Sequence, residues 1–154
     1  MIKGITVSAV TLIFAIQGLA QISVPDAVAS AFQQKFPSAQ IIAWEEEEKG
    51  IYEVDFKQNK QKHSASFDAS GKWLSTETGI KKSALPDVVR QSINKTFSGY
   101  ELDEAEKVET PDGLAFEVEL EKEEGNKEIE LEALFSADGK LLKQSTEDDR
   151  DEDE

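Results

Sequence analysis

The feature that most constrains this chain is a strict two-residue alternation over residues 50–56. Tyr52, Val54 and Phe56 form an apolar row, and Glu53 and Asp55 alternate with them. Successive side chains of a strand point to opposite faces, so the stretch predicts a strand with one apolar and one acidic face. The pattern returns at residues 113–120. There Phe116, Val118 and Leu120 form the apolar row, and Glu117 and Glu119 the acidic one.

An amphipathic helix precedes each copy. Val24, Val28, Phe32 and Phe36 recur every four residues, and Ala27 and Ala31 widen that stripe. Ser23 is a suitable N-cap, Pro25 suits a first helical turn, and Asp26 sits near the positive end of the helix dipole. Pro37 ends the helix, because proline disfavours helical backbone at the residue before it. Leu85, Val89, Ile93 and Phe97 repeat the stripe 61 positions later, and Leu85-Pro86-Asp87 repeats Val24-Pro25-Asp26.

Hairpin signals follow each helix. In the first copy, strands are expected at residues 41–47, 51–57, 62–67 and 72–78. Turns fall at Lys49-Gly50, Gln58-Asn59-Lys60 and Asp68-Ala69-Ser70-Gly71. In the second, residues 128–135 alternate cleanly. Ile129, Leu131, Ala133 and Phe135 point inward, and Glu128, Glu130 and Glu132 outward. Its middle hairpin is expected to be longer, turning through Glu123-Glu124-Gly125-Asn126. The expected architecture is therefore α+β. Two tandem units, residues 23–80 and 84–146, each hold one helix followed by a roughly four-stranded antiparallel sheet. A unit of about 60 residues is marginal alone, and the link at 79–83 is short, so the units are expected to touch.

The ends read differently. Met1-Ile2-Lys3 is a short basic start, residues 4–16 are mostly apolar, and Gly18-Leu19-Ala20 supplies small residues before Gln21. This predicts a secretory signal peptide over residues 1–20, cut near Ala20 and Gln21, and a periplasmic or secreted product. No later apolar run approaches membrane length, so no membrane insertion of the mature chain is expected. Residues 147–154 are almost wholly acidic and read as a disordered, solubilising tail.

The chain carries 32 acidic and 17 basic residues, a formal charge of −15, and no cysteine. Such a surface repels nucleic acid and suits cations or a basic protein. Without cysteine there are no disulfides and no thiolate chemistry.

As a set, Val24-Pro25-Asp26-Ala27-Val28, Lys35-Phe36-Pro37, Trp44-Glu45, Tyr52-Glu53-Val54, Phe67-Asp68, Gly71-Lys72-Trp73-Leu74 and Leu85-Pro86 resemble the PepSY-like family, described as similar to β-lactamase-inhibitor protein. The second copy departs from this set, with Ala105 in place of Trp44 and Leu141 in place of Trp73. The resemblance covers residues 23–146. It implies tandem α-then-β repeats, export, no catalytic residues, and an inhibitory or regulatory module that binds a protein on the open sheet face.

Few residues offer catalysis. His63 is the single histidine, and a zinc site needs several ligands. A triad of Ser64, His63 and Asp68 is disfavoured, because neighbouring residues on a strand point to opposite faces. Asp68-Ala69-Ser70-Gly71 and Ala137-Asp138-Gly139 have the spacing of turns, not of calcium loops. No catalytic residue, cofactor or strong metal site is expected. The sharper candidates are the acidic rows. Glu53, Asp55, Glu117 and Glu119 are expected to face a partner, with Trp44 and Trp73 as anchors if exposed. Glu128, Glu130 and Glu132 are weaker candidates for a divalent cation such as calcium. The leading expectation is a non-enzymatic exported module that docks a basic or envelope protein. The alternatives are a calcium-responsive envelope protein and a merely solvated sheet.

Overall fold

A computed structural model describes residues 22–125 and 127–146. The expected signal segment and acidic tail lie outside the described residues. The chain runs through α1 (Asp26–Lys35), β1 (Gln40–Glu48), β2 (Ile51–Gln58), β3 (Gln61–Asp68) and β4 (Trp73–Gly79). A 3-10 turn (Lys82–Ala84) leads to α2 (Asp87–Thr96), β5 (Glu101–Thr110), β6 (Gly113–Glu124), β7 (Lys127–Ser136) and β8 (Leu141–Thr146). The middle hairpin of the second half is the longer one, as its spacing required: β6 has 12 residues against 8 in β2.

All eight strands form one antiparallel sheet in chain order, β1 to β8. The two expected four-stranded units are thus not separate sheets; they join edge to edge in one. Its seam is the pairing of β4 with β5, from Thr76 opposite Glu109 to Gly79 opposite Glu106. The Ile80 N–H continues the seam by donating to the Ala105 carbonyl at 2.9 Å. The reason is backbone accounting: apart, β4 and β5 would each be an edge with unpaired N–H and C=O groups.

The register places both helices on the same face. Tyr52, Val54 and Phe56 are buried with Val28 and Phe32 of α1. Phe116, Val118 and Leu120 are buried with Val89 and Ile93 of α2. Phe32 centres the first cluster, with ring centroids 5.2 Å from Phe56, 5.5 Å from Trp44 and 6.4 Å from Phe67. Offset and edge-on arrangements of this kind suit the ring quadrupoles.

One local expectation fails. Ser23 does not cap α1; Pro25 occupies the N-cap position and no side chain caps it. The Pro25 carbonyl instead accepts from Val28 N–H at 3.0 Å and Ala29 N–H at 3.1 Å. Extended backbone at Pro25 (φ −60°, ψ 142°) starts the helix two residues later than a Ser23 cap with proline in the first turn would require.

The β3–β4 turn holds α1 against the sheet. Asp68 Oδ1 accepts from Ser70 N–H at 2.9 Å, Ser70 Oγ at 2.6 Å and Lys72 N–H at 3.1 Å, which pins the turn and lowers the pKa of Asp68. The carboxylate is thus committed to its own backbone. Gly71 follows at φ +84°, where a Cβ would lie 2.5 Å from the Ala27 carbonyl oxygen and 3.3 Å from the Ala31 Cβ. Gly50 has a similar φ of +85°, but its Cβ would meet only the Ala69 Cβ, at 3.9 Å. Gly50→Ala should therefore cost about 1 kcal/mol from backbone strain alone. Gly71→Ala should cost roughly twice that or more, because α1 must also move. Urea unfolding of the two variants measures this; equal losses would show that Gly71 does not seat the helix.

An acidic cleft on the helix-free face of the sheet

The alternation that buries the apolar rows sends their carboxylate partners to the other face. That face curves inward. Residues of six strands, β2 to β7, line one cleft of about 450 Å³. Strand β2 contributes Glu53 and Asp55, β3 Lys62 and Ser64, and β4 Glu77. Strand β5 contributes Glu104 and Glu106, β6 Glu117 and Glu119, and β7 Glu132.

The register sets like charges opposite one another. Glu104 and Glu106 on β5 face Glu119 and Glu117 on β6. Glu119, Glu121 and Glu123 then face Glu132, Glu130 and Glu128 on β7. Like charges directly across strands are destabilising. Here the opposition is made worse by burial. Glu117 is 5% exposed, Glu77 6%, Glu132 8% and Glu53 9%.

The carboxyls respond by holding protons. Burial, reinforced by Glu47 and Glu77, pushes Glu53 up to about 10. Burial with Glu77, Glu132 and Glu106 nearby pushes Glu117 up to about 9. Glu77 rises to about 8 and Glu119 to about 7 for the same two reasons, and Glu106 is also raised. Glu47, raised by burial on β1, hydrogen-bonds to Glu53, so these two groups share a proton.

Compensation is sparse. Lys62 pairs with Asp55 at 3.6 Å, Ser64 Oγ donates to Glu77 at 3.5 Å, and Ser145 Oγ to Glu132 at 3.5 Å. The Oε1 atom of Glu117 is buried and has no hydrogen-bond partner.

Of the residues singled out from the sequence, Glu53, Asp55, Glu117, Glu119 and Glu132 meet in the cleft. Glu128 and Glu130 lie on the same face but nearer the β6–β7 turn, outside the cleft lining. Trp44 and Trp73 lie across the sheet, half-buried under α1. Trp73 Nε1 donates to the Ser75 carbonyl at 2.6 Å and Thr76 Oγ1 at 2.9 Å, and the Lys35 ammonium sits 3.6 Å above its ring. Both tryptophans therefore serve the core in this structure and do not line the cleft. His63 stacks on Phe56 at 5.2 Å and bonds Thr78 Oγ1 through Nδ1 at 2.9 Å, while Ser64 lies on the opposite face. The two do not form a nucleophile–base pair.

Sequence reasoning missed Glu77, Glu104 and Glu106. The repeat offset of 61 would have found Glu106, which aligns with Glu45, and a two-residue count from Ser75 reaches Glu77.

A folded state that holds protons above the ordinary carboxyl range is most stable in acid. These groups release their protons near 4.5 when unfolded, so their stabilising effect is complete below that pH and is lost as pH rises through 7 to 10. The Tm should fall from pH 5 to pH 9. Glu117→Gln should raise the Tm at pH 9 by about 3 °C or more, the response to roughly 1 kcal/mol in a chain this size, and change it little at pH 5. A Tm that is flat or rising over this range in calorimetry would contradict the buried, protonated cleft.

Comparison with known proteins places this geometry. No curated protein matches the chain. Among solved structures, a BLIP-like protein from Bacteroides fragilis is 24% identical, with a TM-score of 0.65 over 83% of this chain and 89% of its own. A DUF2874 family protein from Bacteroides ovatus is 23% identical, with a TM-score of 0.68 over 81% and 89%. A structure from Bacteroides eggerthii described as that of "putative periplasmic proteins" is 23% identical, with a TM-score of 0.68 over 80% and 89%. These likenesses establish the shared fold. The family model described as "Putative beta-lactamase-inhibitor-like, PepSY-like" matches residues 17–63 and 50–143, nearly the whole described chain, and the chain belongs to that PepSY-like family.

Proposed function

We propose that this protein is a non-enzymatic, exported binding module that docks a basic protein through its acidic cleft. The observation that carries the reading is the set of buried carboxylates on the helix-free face, held there at a cost to stability. Core packing does not require them, since both apolar clusters lie on the other side of the sheet. Desolvated carboxyls gathered in one cleft give up their protons when a cation arrives, so an oppositely charged partner is read by the ionisation it induces. The family description, inhibitor-like, agrees with binding in preference to catalysis. The periplasmic description of a related fold agrees with export. No helix among the described residues is long and apolar enough to cross a membrane.

A second reading, a calcium-responsive envelope protein, has its own observation. The carboxylate oxygens of Asp103, Glu104 and Glu119 all lie within 4.8 Å of one another at the cleft rim. A rise in Tm with calcium beyond that with sodium chloride at equal ionic strength would support it, because a ligand bound only by the folded state stabilises by mass action.

The docking function is tested by capture from an envelope extract, comparing the protein with its Glu77→Gln/Glu106→Gln/Glu117→Gln variant. A saturable partner should be retained at low salt, released as ionic strength rises through the range where the Debye length falls from about 10 to about 3 Å, and not retained by the variant. The variant replaces carboxyls with amides of the same shape and keeps the packing, and an undiminished Tm shows that weak capture does not arise from unfolding. Equal capture by both proteins would reject the cleft as the docking face.

A further inference from the structure

Glu117 is the one cleft carboxylate whose geometry asks for something outside the molecule. It is 95% buried by exposure (5% relative accessibility), lines the cleft, and leaves Oε1 without a hydrogen bond. A buried polar atom with no partner is costly, and native structures rarely retain one without use. Glu77 from β4, Glu106 from β5 and Glu132 from β7 act on it electrostatically, and Lys143 from β8 opposes them. Among the described residues, no lysine or arginine comes within ion-pairing distance of Glu117.

The spacing of these groups separates two kinds of cation. A bare divalent ion needs its oxygen ligands gathered tightly around one point. Among the described residues, the group gathered that closely is Asp103, Glu104 and Glu119 on the rim, and it does not include Glu117. The carboxyls around Glu117 are set wider than a metal cage. A guanidinium is planar and carries five N–H donors in a fork, so it reaches several carboxylates at once. It is also less strongly hydrated than an ammonium, which favours it in a desolvated cleft. A volume of about 450 Å³ leaves room for a long side chain and the loop that carries it.

We infer that the cleft is a receptor for an arginine guanidinium presented on a loop of a partner protein, with Glu117 as its buried acceptor and Glu77, Glu106 and Glu132 around it. The inference rests on the docking function proposed above and names the group that the cleft reads. Lys62 also lines the cleft but pairs with Asp55, not with Glu117. Arrival of the guanidinium favours the ionised form of Glu117, so binding expels a proton from the site. The proton passes to buffer, and the ion pair that forms is the fork-shaped kind in which arginine exceeds lysine.

The test uses the whole protein and a cyclic peptide bearing one arginine at its tip, compared with the same ring carrying citrulline or lysine. Citrulline keeps the shape and removes the charge. NMR titration should show saturable shifts at Glu77, Glu106 and Glu117 with the arginine ring. The citrulline ring should bind at least 10-fold more weakly and the lysine ring between the two. Glu117→Gln should weaken arginine binding at least 10-fold, whereas Glu128→Gln, outside the cleft, should leave it unchanged. Calorimetry near pH 7.5 in phosphate and in Tris should give enthalpies that differ by the buffers' ionisation, the signature of proton release, which a purely structural Glu117 would not produce. Equal binding of the arginine and citrulline rings, or an unaltered affinity in Glu117→Gln, overturns the assignment. So does the absence of saturable shifts with the arginine ring. A natural partner captured through the cleft by Glu117→Gln as well as by the unaltered protein also overturns it, while leaving the docking function intact.

Discussion

The structure depends on four residue pairs. Thr76 to Gly79 of β4 pair with Glu109 to Glu106 of β5, and this seam turns two helix-and-hairpin halves into one sheet. Each half has its own apolar cluster, so hydrophobic burial alone does not require the halves to join. The backbone does, because it leaves N–H and C=O groups unpaired on the facing edges. Once joined, strands from both halves contribute to a single curved face, and Glu77 of the first half comes into the field of Glu106 and Glu117 of the second. The cleft belongs to neither half alone.

That face carries a conflict that folding leaves in place. A sheet face turned to solvent normally carries mixed charges or short polar side chains. Here glutamates are stacked across strand after strand, and the curvature desolvates them. The molecule settles the conflict by protonation, by a few serine hydroxyls and by the Lys62–Asp55 pair. Protonation relieves the repulsion, yet Glu117 retains an unsatisfied oxygen. Proteins tend to break local rules of consistency at sites of function. The gap between what the fold needs and what the sequence supplies therefore falls on the cleft for which docking is proposed.

Local periodicity made most of the fold legible. The two-residue alternation at Tyr52, Val54 and Phe56 fixed a strand and its buried face, and the four-residue spacing of Val28 and Phe32 fixed a helix over it. The offset of 61 carried both into the second half. The same alternation assigned Glu53, Glu117 and Glu132 to the helix-free face. What was not legible depends on pairing between distant strands. Whether β4 meets β5 is decided by backbone groups that every residue carries, so no side-chain pattern announces it. The inward curve of the sheet, and hence the burial of Glu77, arises from strand twist and from bulges such as those between Ile41 and Ala43 and between Leu102 and Glu104. The tryptophans went to the core side because β1 and β4 continue the alternation through Trp44 and Trp73 from their paired neighbours Val54 and Phe67.

Among the described residues, a sheet laid out in chain order ends at β1 and β8, and β1 is the more exposed of them in apolar terms, with Ile41 and Ile42 about half accessible. A bare edge of that kind is a template on which another copy of the chain could lay its own strand and start a fibril. In β1 the two isoleucines are followed, after Ala43 and Trp44, by Glu45, Glu46, Glu47 and Glu48. A copy adding edge to edge would have to bring a second such run alongside the first. The glutamate surplus thus also acts as a gatekeeper, discouraging strand-on-strand growth at high local concentration and allowing the edge to stay short of side-chain cover.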